Sequence, residues 1–165
     1  MAGGATTGGL VVDSAEIYDP ISGVWTIASS MSSPRYRSAG VLLASGRVLV
    51  AGGVPTSGVA TAAVELYNYK TNSWTAADAM TSSRDAFAVL SLPNGQILAA
   101  GGINATGTVT SSAELYDPNK GVWVQTASLS AARAWYGAAV QANGDVLVIG
   151  GVSGGDRLMS VERYR

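Results

Sequence analysis

At 165 residues, 47% of them hydrophobic and only 13% charged, the chain is long enough for one domain with a core and too apolar for a disordered polar tract. A net charge of −1 with no long run of either sign removes the electrostatic footprint of nucleic-acid or anionic-membrane binding. With no Cys and no His, the chain lacks material for disulfides, zinc, copper or haem sites, cysteine nucleophiles and Ser-His-Asp triads. No catalytic residue, metal or cofactor is therefore expected, and the redox compartment stays open.

Gly-Gly occurs at Gly3-Gly4, Gly52-Gly53, Gly101-Gly102 and Gly150-Gly151, each pair 49 residues after the last. Trp25, Trp74 and Trp123 keep the same spacing, as do Tyr18, Tyr67 and Tyr116, Glu16, Glu65 and Glu114, and Arg35, Arg84 and Arg133. A period near 50 marks a supersecondary unit that buries its faces only against its neighbours. No apolar run approaches the roughly 20 residues of a membrane span, and residues 1–13 lack a basic flank before an apolar stretch, so neither anchor nor signal peptide is expected.

In chain order, a partial unit at 1–30 holds an alternating segment, SAEIYD, a turn, and a strand beginning at Trp25. The unit at 35–79 is complete. Its first segment, Ser38 to Leu43, is an apolar run that predicts the strand most deeply covered on both faces. A Ser45-Gly46 turn leads to Arg47–Ala51, which runs into Gly-Gly; then come a variable loop, AVELYN, a second turn and the Trp74 strand. The unit at 84–128 repeats this, with Phe87 to Leu92, Asn94-Gly95, Gln96 to Ala100, SAELYD and Trp123. The last unit, 133–165, carries Tyr136 to Gln141, Asn143-Gly144, Asp145 to Ile149 and SVERY, and no Trp strand. Each full unit predicts four antiparallel strands and no helix.

A double Gly after an aliphatic strand, Glu-x-Tyr-Asp/Asn in the next, a Trp about seven residues on and Met-x-x-x-Arg before the next unit resemble the kelch repeat over essentially the whole chain. The resemblance implies an all-β, kelch-type β-propeller of four-stranded antiparallel blades, incomplete in one chain, with the first segment innermost and the Trp segment outermost. It implies that Trp25, Trp74, Trp123, Tyr18, Tyr67, Tyr116, Arg35, Arg84 and Arg133 sit between blades as structural residues. The kelch-containing copper oxidases use His and a Cys-modified Tyr, which this sequence lacks. In kelch substrate adaptors, residues just after the repeated Arg and the Gly-Gly face the channel mouth. The matching positions are Tyr36, Arg37, Asp85, Ala86, Ala134 and Trp135, with Val54, Ile103 and Val152. Arg37 is suited to pair an acidic ligand group bidentately, and Trp135 offers an aromatic platform for a peptide or a sugar.

Propellers close with about 4 to 8 blades, and an open arc leaves apolar blade faces in water. This chain holds about three. The expected remedies are a homodimer closing a six-bladed ring or the remainder of a larger propeller. The Glu-x-Tyr strand occurs four times against three Trp strands, so dimeric closure leaves the terminal copy, Leu158 to Arg165, displaced or at an edge. The expected function is a non-catalytic protein- or peptide-binding scaffold. The alternatives are a purely structural assembly unit and a glycan-binding or glycan-acting propeller, although no spacing among the non-repeated acids singles out a carboxylate pair. Composition resembles that of bacterial kelch proteins, which leans towards an extracellular or cell-surface setting.

Overall fold

The computed structural model describes residues 1–164; Arg165, which closes the terminal segment named above, lies outside them. All regular elements among the described residues are strands. The first blade has three, β1 (Ala2–Ala5), β2 (Val11–Asp19) and β3 (Val24–Ala28), in that order. The second has four, β4 (Ala39–Leu42), β5 (Val48–Ala51), β6 (Val64–Asn68) and β7 (Ser73–Ala77). The third also has four, β8 (Ala88–Ser91), β9 (Ile97–Ala100), β10 (Ala113–Asp117) and β11 (Val122–Thr126). In the fourth, β12 (Gly137–Val140) and β13 (Val146–Ile149) pair with a late strand, β16 (Val161–Tyr164). A small hairpin, β14 (Val152–Ser153) with β15 (Asp156–Arg157), lies between. All pairs are antiparallel and run in sequence order, and β8 lies beside both β4 and β12, so the first strands of successive blades gather on one side. The molecule is an all-β, kelch-type arc of blades.

Two expectations change. The N-terminal piece holds the tail of a second strand, β1, in addition to the third and fourth. The most buried strands are the second ones: β9 is buried throughout and β5 nearly so, whereas β4 and β12 alternate between covered and open residues. The first strand is covered by blades on its two faces only where both neighbours exist, and its edge opens on the channel. The second strand has a paired neighbour on each edge as well, so its apolar run is enclosed on every side.

The double glycine is explained by how the linker between blades crosses the preceding one. Gly53 N donates to Arg84 O at 2.9 Å. A Cβ on Gly52 would stand 2.3 Å from that same oxygen, and one on Gly53 would stand 2.7 Å from Tyr36 O, with φ of 64° and 90° at the two residues. Backbone meets backbone there, leaving no room for a side chain. Gly102 N repeats the bond to Arg133 O at 2.8 Å, and Gly4 N to Arg35 O at 2.8 Å.

The repeated Arg and Glu fasten the same linker. Arg84 is fully buried; its Nη1 donates to Gly101 O at 2.8 Å and Ser112 O at 3.0 Å, and its Nη2 to Glu114 Oε1 at 2.6 Å. Glu114 in turn accepts the linker amides of Thr81 and Ser82. Arg35 and Glu65 make the same pair at 2.7 Å, and Arg133 pairs with Glu162. Burial works to raise the Glu162 pKa, but hydrogen bonds from Ser130, Arg133 and the Ala131 amide outweigh it and hold the carboxyl at about 2. Glu16, the first-blade member of this series, is exposed, and its carboxylate meets no cation among the described residues.

The aromatic pairs show what a neighbouring blade contributes. Tyr18–Trp25, Tyr67–Trp74 and Tyr116–Trp123 are cross-strand partners with ring centroids 5.1, 5.0 and 4.9 Å apart. Trp74 Nε1 donates to Ser29 O of the blade before it at 2.7 Å, and Trp123 Nε1 to Asp78 O at 3.0 Å. Trp123 is 8% exposed, while Trp25, with no preceding blade among the described residues, is 50% exposed.

Candidate functional site

The nine mouth positions named from the sequence fall into one repeated arrangement. The residue after the buried Arg bridges the residue after the double glycine, giving Tyr36↔Val54, Asp85↔Ile103 and Ala134↔Val152. The residue after each bridge, Arg37, Ala86 and Trp135, has a left-handed backbone with φ of 57°, 52° and 56°. These three are linked across blades: Ala86 N donates to Arg37 O at 3.2 Å and Trp135 N to Ala86 O at 3.0 Å. A non-glycine residue in this region carries a local cost of order 1 kcal/mol, sustained where surrounding bonds fix it. Here the bridge on one side and the inter-blade bond on the other do so.

Burial then sorts the nine. Val54 and Ala134 are enclosed, at 3% and 0% exposure. Tyr36, Ala86, Ile103 and Val152 are partly covered, and Arg37 and Trp135 are open. Arg37 comes from the second blade and Trp135 from the fourth, yet the guanidinium carbon lies 4.7 Å from the Trp135 ring centroid and 5.1 Å from that of Tyr36. Arg37 makes no ion pair among the described residues. Asp85 lies deeper, with Oδ1 buried and without a hydrogen-bond partner. Burial raises its pKa, and Arg37 pulls it back down from beyond ion-pair reach.

Sequence reasoning missed two features. The left-handed backbone at Arg37, Ala86 and Trp135 has no residue-type signal; its only trace is the shared place in the period. The second is an apolar trough of about 690 Å³ between the first and second blades, bordered by Ala2, Ala15, Trp25, Leu42, Val50 and Trp74. Among the described residues, no group of three or more Asp or Glu side chains converges as a metal site would require.

Residues 87–130, which span the strands of the third blade, match the family model described as the Kelch motif. No curated protein matches the chain. The landmarks of that matched segment recur 49 residues earlier in the second blade and, in part, in the blades at either end. The third blade thus carries a kelch motif, and the other blades repeat its landmarks.

Proposed function

We propose that this chain is a non-catalytic binding scaffold that closes its propeller by self-association and holds an acidic peptide, or an acidic loop of a protein, at the channel mouth. One observation carries the reading: Arg37 is an exposed guanidinium, within about 5 Å of two aromatic ring centroids and in no ion pair among the described residues. Contact with the two rings restricts the exposed guanidinium, so pairing with a carboxylate costs less rotamer freedom than it would for a free arginine. Tyr36, Ile103 and Val152 supply partly apolar surface beside it. Asp85 favours a ligand that also offers an N–H or O–H donor, as a peptide backbone does.

Arg37→Ala is expected to weaken binding of a glutamate-rich synthetic peptide by about tenfold or more, with the thermal transition of the protein unmoved. Fluorescence anisotropy of the labelled peptide measures it. Arg37→Lys recovers only part of the loss, because an ammonium cannot form the fork. Equal affinity of wild type and Arg37→Ala would remove the acidic ligand from the mouth.

A further inference from the structure

The end blades are complementary. The first holds strands two to four of the repeat, and beside it, where the second blade fills its side of the next junction with Val41, Leu43 and Leu49, lies the open trough. The fourth holds strands one to three, and its β16 has no outer partner among the described residues. Resting on the self-association proposed above, we infer that two copies close by strand exchange: the β2–β3 hairpin of a second copy takes the place of β16 beside β13, and its Glu16 replaces Glu162 at Arg133.

Three observations support that occupant. The β2 segment Ser14-Ala15-Glu16-Ile17-Tyr18-Asp19 differs from Ser112–Asp117 of the intact third blade only by Ile17 in place of Leu115. The β16 segment instead puts Arg163 opposite Leu147, where the second and third blades set Leu66 opposite Leu49 and Leu115 opposite Leu98. A charged, half-exposed side chain in that row suits a temporary cover better than a blade-to-blade contact. Next, Glu16 is a carboxylate without a cation among the described residues, on the same strand position as the carboxylate that Arg133 needs. Finally, exchange gives Trp25 and Tyr18, half-exposed in one chain, the preceding blade that Trp123 and Tyr116 already have.

The exchange keeps an Arg–Glu pair at Arg133, so no buried charge is left uncompensated, and it adds an outer strand and an aromatic pair to the fourth blade. All of β1 must leave β2, since Ile149 of the other copy takes the register of Ala2 opposite Ala15 and its Gly150-Gly151 the place of Gly3-Gly4. The product is six four-stranded blades from two copies. Without exchange, two copies would set eight sheets side by side, half of them three-stranded.

The chain lacks cysteine, so introduced thiols report strand neighbours directly. Leu147→Cys with Ile17→Cys brings two thiols opposite each other only across an exchanged pair, and oxidation is expected to give a covalent dimer as the main product. Leu147→Cys with Arg163→Cys links β13 to β16 within one chain and is expected to lower the dimer fraction about tenfold or more in light scattering. Each reduced variant is its own folded reference. A dimer by mass in which the first pair stays unlinked and the second leaves association intact would overturn strand exchange while self-association stands. A chain that is monomeric throughout would remove both.

Discussion

Trp123→Ala is expected to lower the unfolding free energy by about 3–5 kcal/mol, whereas Trp25→Ala shifts that of the monomer by under about 1 kcal/mol. The two residues hold the same place in the repeat and pair with the same kind of tyrosine. Only the surroundings differ. Trp123 lies in the core cluster with Leu43, Leu49, Val64 and Tyr116 and donates its indole N–H to Asp78 O, so truncation leaves a cavity and an unpaired carbonyl. Trp25 is half in water already. Urea titrations of the two variants at dilutions that keep the chain monomeric compare them, and equal losses would mean that the tryptophan stabilises its own blade and not the junction.

Arg84→Leu is expected to destabilise by about 3–5 kcal/mol, because it leaves Glu114 as a buried carboxylate without a cation. Both side chains of that ion pair are fully enclosed. Changing Glu114 to Leu as well recovers part of the loss, since the uncompensated charge goes with it, though the Thr81 and Ser82 amides then lose their acceptor. Glu16→Gln, by contrast, falls within about 0.5 kcal/mol in the monomer. Denaturant midpoints of the three variants supply the comparison. An Arg84→Leu protein as stable as wild type would show that the repeated Arg–Glu pair does not hold the linkers.

Much of the fold is legible in the sequence because the period places like residues in like surroundings. The Gly-Gly pairs, the SAELYD strands and the Trp strands each fall where the spacing puts them, and strand bounds differ by about a residue except in the first blade, where β2 starts at Val11, ahead of SAEIYD. The period does not convey position along the arc. Trp25, Trp74 and Trp123 read identically as letters and run from half-exposed to buried, because their environment is set by whether a blade precedes them. For the same reason the first strands read as the deepest, although the second strands are more fully enclosed. The spacing selects Tyr36, Asp85 and Ala134 together with Val54, Ile103 and Val152, and these bridge one another in pairs. It does not reveal that Val54 and Ala134 are fully enclosed, nor that Arg37 reaches across to Trp135. Those depend on the curvature of the arc and on left-handed backbone at three non-glycine residues.

Light scattering coupled to size exclusion tests the arc of blades and its closure most directly. With bare faces at Trp25 and Ile27 at one end and Ile149 and Val161 at the other, the account predicts a discrete species of twice the 16.7 kDa chain mass. A stable species at the single-chain mass, persisting to millimolar concentration, would contradict it.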